Sequence, residues 1–64
     1  MNDLLTKLCD MLRAENLRLD ILTSELDGAG LPKNVENQLK MNNRERQLKN
    51  KEWLDQANRS LRAL

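Results

Sequence analysis

The side chains able to do chemistry are few in this 64-residue chain. Cys9 is its single thiol, and it has neither histidine nor tyrosine. A nucleophile needs a base nearby and an acid–base catalyst needs a tunable proton. Lys7 is the only basic residue close to Cys9, and neither Ser24 nor Ser60 has a base in sequence reach. Cys9 therefore reads as a small apolar filler at the border of a helix contact. As the single cysteine it cannot form an internal disulfide, and with no histidine in the chain it cannot anchor a usual zinc site, so no metal is expected. Gly28 and Gly30 give a G-x-G without the rest of a nucleotide-binding fingerprint, so the segment reads as a turn and no cofactor is expected. The chain is expected to be no enzyme, with no catalytic residue and no small-molecule substrate.

Charge offers two further possibilities. Lys40, Arg44, Lys51, Arg59 and Arg62 lie in the second half, and basic residues on paired helices can track a phosphate backbone. Glu36, Glu45, Glu52 and Asp55 interrupt them, which is the pattern of a solvated face with i,i+4 pairs such as Glu36 to Lys40. The absence of Phe and Tyr also removes the stacking platforms of single-strand binders. A small dimeric RNA or DNA binder is thus the alternative reading. The formal net charge is only +1, but it is divided. Residues 1 to 30 hold three basic against six acidic groups, and residues 31 to 64 hold eight against four. Two halves of opposite sign attract, within a chain or between chains.

The elements that carry these groups announce themselves through leucine. Leu5, Leu8, Leu12, Glu15, Leu19, Leu22 and Leu26 recur at alternating spacings of three and four, which aligns them on one seam of a helix. A stripe with a mean period near 3.5 stays in register only against another helix that supercoils with it. The only breaker is Gly28-Ala29-Gly30-Leu31-Pro32. Gly28 is the candidate left-handed residue after the first helix, and Pro32 can open the second. Asn2 or Asp3 can cap the first helix, and Asn34 is a second candidate cap for the next. The fold class is therefore all-α: an antiparallel helical hairpin with helix 1 over about 3–27 and helix 2 over about 33–64, since so short a link returns the chain antiparallel.

If the two seams face each other, residues whose numbers add to about 61 lie side by side. Leu26 then meets Val35, Leu22 meets Leu39, Leu8 meets Trp53, and Glu15, the one charge on the first seam, meets Arg46. The second face is less regular. Val35, Leu39, Trp53, Ala57, Leu61 and Leu64 are interrupted by Asn42, Asn43, Arg46 and Asn50, which suggests a wet layer, a twisted seam or an exposed middle. In this alignment helix 2 overhangs by about two turns and leaves Leu61 and Leu64 as an uncovered tip.

One domain, residues 1–64, is the most so short a chain supports, and a core this small supplies only about 3–5 kcal/mol unless it is reinforced. With disulfide and metal set aside, oligomerisation is the remaining reinforcement. The hairpin is expected to self-associate, most simply as a dimeric coiled coil or four-helix bundle, and to act as a non-enzymatic assembly or regulatory protein. Its partners would be itself and another protein. The expected interface is Leu5, Leu8, Leu12, Glu15, Leu19, Leu22, Leu26, Leu39, Arg46, Trp53, Leu54, Leu61 and Leu64. A further alternative is an N-terminal oligomerisation segment of a longer protein. No run of 18 apolar residues and no basic-then-apolar leader is present, so an intracellular, cytoplasmic and soluble protein with no membrane contact is expected.

Overall fold

The computed structural model describes residues 3–63 and consists of two helices, α1 (Asp3–Leu26) and α2 (Lys33–Arg62), with no strand among the described residues. The helices pack against each other as an antiparallel hairpin, 48 Å long and 14 Å across at the Cα atoms. Asp3 opens α1, where a carboxylate suits the exposed backbone N–H groups of a first turn. Asn2 and Leu64 lie outside the described residues.

The turn differs from expectation in one detail. After Leu26 the chain tightens into i→i−3 bonds, with the N–H of Asp27, Gly28 and Ala29 donating to the carbonyls of Ser24, Glu25 and Leu26. Gly30, not Gly28, then takes the positive φ of 70° that turns the chain toward α2. Pro32 is the N-cap of α2 and its carbonyl accepts from the Glu36 N–H at 3.0 Å, so Asn34 lies inside the helix and does not cap it.

The larger correction concerns which residues face each other. The buried and half-buried positions of α1 are Leu5, Cys9, Leu12, Asn16, Leu19, Thr23 and Leu26, joined on the rim by Glu15. Those of α2 include Glu36, Lys40, Asn43, Gln47, Asn50, Leu54, Ala57 and Leu61. Both sets alternate by three and four without a break, so the seam is a true heptad pattern, but α1 is rotated by one residue from the leucine stripe. Leu5, Leu12, Leu19 and Leu26 serve both patterns. Leu8 and Leu22 are left outside, and Cys9 (2% exposed), Asn16 and Thr23 are taken in. Cys9 is thus a seam residue rather than a border one.

The hydrogen bonds fix the register. Asn16 pairs with Asn50 and Thr23 with Asn43, so the buried layers join residues whose numbers add to 66, while the expected pairs adding to 61, Glu15 with Arg46, Leu8 with Trp53 and Leu22 with Leu39, meet on the flank beside them. The pairing within the buried layers is therefore offset by about five residues from the expected one. Leu61 therefore stands level with Leu5 and is half-buried, and the surplus length of α2 runs beside the loop instead of projecting as an uncovered tip.

Candidate interaction face

The seam is polar in its middle. The Asn50 side chain is fully buried; its Nδ2 donates to Asn16 Oδ1 at 3.0 Å, while its own Oδ1 has no partner. Gln47 Nε2 donates to the Asn16 carbonyl at 2.9 Å and to Asp20 Oδ1 at 2.7 Å. One turn on, Asn43 Nδ2 donates to Thr23 Oγ1 at 3.1 Å, and that hydroxyl donates to the Leu19 carbonyl at 2.7 Å. Amides paired in this way fix one register at a cost in stability, because any slip leaves buried polar groups without partners.

Apolar layers close both ends of this network. Leu5, Cys9 and Leu12 stand level with Leu54, Ala57 and Leu61 toward the chain ends, and Leu26 lies toward the turn. At the turn Lys40 bridges Asp27 and Glu36, and Lys33 reaches Glu36 at 3.3 Å. The ammonium of Lys40 beside Asp27 holds that carboxyl below its ordinary value, and the carboxylate raises Lys40 in return.

Leu8, Leu22, Leu39 and Trp53, left off the seam, gather on one flank. Leu8 and Trp53 line a shallow groove with Leu5, Gln56, Ala57 and Ser60 near the chain ends. Leu22 and Leu39 line another with Leu26 and Ala29 near the turn. Between them Arg46 Nε donates to Glu15 Oε1 at 2.7 Å, the ion pair anticipated from the numbering. The Arg46 hydrogen bond is the largest influence holding the Glu15 carboxyl below its ordinary value. Leu8, Leu22, Leu39 and Trp53 remain 38–44% exposed, and Leu4, Met11 and Val35 extend the same flank.

The opposite flank carries the rotationally equivalent positions Thr6, Arg13, Asp20 and Asp27 on α1 and Asn37, Arg44, Lys51 and Asn58 on α2, none of them large and apolar, with Leu17, Met41 and Leu48 one step further out on that side. Arg44 and Lys51 share this polar side, Arg59 and Arg62 point to the outside of α2, and Lys40 is engaged at the turn. The five basic residues therefore do not line up in one stripe. Met41 and Leu48 lie on the outside of α2, and Leu17 and Ile21 on the outside of α1.

No group of His, Cys, Asp and Glu side chains that could hold a metal occurs among the described residues, and no described helix is long and apolar enough to cross a membrane. No family model, curated protein or solved structure matches the chain.

Proposed function

We propose that the chain is a non-enzymatic assembly or regulatory protein that acts by helix pairing, and that its working surface is the flank of Leu8, Leu22, Leu39 and Trp53, covered by a second copy as a four-helix bundle. The observation that carries this reading is the unequal use of apolar residues. Amides occupy much of the seam while leucines and the only tryptophan stay half-exposed beside it. Exposed apolar patches on a small protein, here one at each end of the flank with the Glu15–Arg46 pair between them, mark a contact surface.

Size supports a second copy as the occupant. A face 48 Å long and 14 Å wide at the Cα atoms, broadened by its side chains, is of the order of the ~800 Å² per partner of a standard interface. The free, buried Cys9 fits a reducing, intracellular setting. Trp53 provides the test, since no other aromatic contributes to the fluorescence. Its emission is expected to shift to the blue as concentration rises, along the same curve as the molar mass. A water-exposed spectrum at every concentration would remove the face from the interface.

A further inference from the structure

We infer that the second copy docks turn to turn, with α1 of each protomer lying over α2 of its partner and the two-fold axis running parallel to the helices. This rests on the proposal that a second copy covers the leucine–tryptophan flank, and it specifies how.

Along its length the flank is apolar at Leu22 and Leu39, charged at Glu15 and Arg46, and apolar again at Leu8 and Trp53. Its two apolar ends are alike, so burial of leucine alone does not choose between the two-fold arrangements that bring the face onto itself. With the axis along the helices, α1 covers the partner's α2 and both turns lie at the same end. With the axis across the helices, α1 covers the partner's α1 and the turns lie at opposite ends.

Charge chooses between them. The first arrangement brings Glu15 of each protomer to the partner's Arg46, so two carboxylates and two guanidiniums alternate around the axis. The second brings Glu15 against the partner's Glu15 and Arg46 against the partner's Arg46, with Lys49 adding to the positive side. Like charges brought together as water leaves an interface are strongly disfavoured. On the flank itself Arg18 and Glu25 join Glu15 on α1 and Lys49 joins Arg46 on α2, so α1 over the partner's α2 sets a net negative strip against a net positive one.

The turn-to-turn arrangement also brings Trp53 against the partner's Leu8, and the two Leu22–Leu39 grooves together at the turn end. The crossed arrangement would bring Trp53 against the partner's Leu39 instead. The position of the turns therefore reports the symmetry directly.

Spin labels read it out. In a Cys9→Ala background, Gly28→Cys places one label on the exposed turn, where an added Cβ meets nothing within 4 Å and the backbone φ is not positive. With the molar mass measured on the same sample, a dimer is expected to give a label separation of roughly 25 Å, a few interaxial spacings of about 8–10 Å. A dimer with the labels near the 48 Å length of the hairpin would overturn the turn-to-turn docking while leaving self-association intact. A monomeric mass with no dipolar coupling would overturn self-association itself. Arg59→Cys, exposed near the other end of α2, gives an independent reading, short in the proposed arrangement and long in the crossed one.

Discussion

The seam between the helices and the flank beside it divide the labour in an unexpected way. The seam is closed over Asn16, Asn43, Gln47 and Asn50, whereas the flank displays Leu8, Leu22, Leu39 and Trp53 to water. A chain optimised to be a hairpin alone would reverse this. Buried amides supply register and little net stability, while leucines supply stability and little register. The seam therefore decides how the two helices align, and the flank holds the hydrophobic energy available for assembly.

The most damaging change should be in the seam's apolar end. Leu12 is 5% exposed, and Leu12→Ala is expected to cost about 2–5 kcal/mol, comparable to the whole stability of so small a core. Circular dichroism during urea titration checks it, and an unchanged midpoint would mean that Leu12 is not an energetic anchor. On the flank, Leu22→Glu or Leu39→Glu should weaken self-association by at least tenfold, or about 1.4 kcal/mol, because each puts an unpaired charge into the proposed contact. Sedimentation at several concentrations measures that loss.

Next comes the polar middle. Replacing Asn16 and Asn50 together by leucine removes a buried amide pair, one of whose oxygens has no partner. The double variant is expected to be more stable by about 1–3 kcal/mol and less specific in its register. Its melting temperature reports the first effect. Broadened or doubled NMR resonances for α2 would report the second, and a single sharp set would detach register from the amides.

The smallest effects belong to the exposed pairs. At concentrations where the hairpin is monomeric and its flank open to water, Glu15→Arg or Arg46→Glu should lower the melting temperature, the two together should recover part of the loss, and added salt should shrink both effects. Folding lowers the Glu15 and Asp27 carboxyls from ordinary values of 4.5 and 3.8, so their contribution is present above those values and fades as the pH falls through the folded ones. Lys40 is raised from 10.5, so its contribution is present below that value and fades as the pH climbs through the folded one. Melting temperatures should therefore hold a plateau between the two limits, and a steady rise on acidification below pH 4 would contradict the sign.

Helix extent and the position of the turn were legible in the sequence because they follow from local spacing and a single breaker, and the Glu15–Arg46 pair was legible from setting the two stripes side by side. The phase of the seam was not. Leu5, Leu12, Leu19 and Leu26 fit either rotation, and hydrophobicity alone favours completing the set with Leu8 and Leu22. The observed choice of Cys9, Asn16 and Thr23 depends on polar partners 20 and 34 residues away in sequence. A usable signal was present on α2, where Glu36, Lys40, Asn43, Gln47, Asn50, Leu54, Ala57 and Leu61 keep an unbroken alternation of four and three despite five polar members. Matching Asn16 to Asn50 and Thr23 to Asn43 would have set the register that the leucines leave open. The placement of the surplus length of α2 beside the turn follows from that same shift.

The division between seam and flank is tested most directly by the molar mass of the unmodified chain in solution, by sedimentation equilibrium over a range of concentrations. The predicted result is a reversible approach to twice 7.5 kDa, with the Leu22→Glu variant held at the lower mass. A wild-type mass fixed at 7.5 kDa with full helicity would contradict it, since the hairpin would then be complete with its leucine face in water.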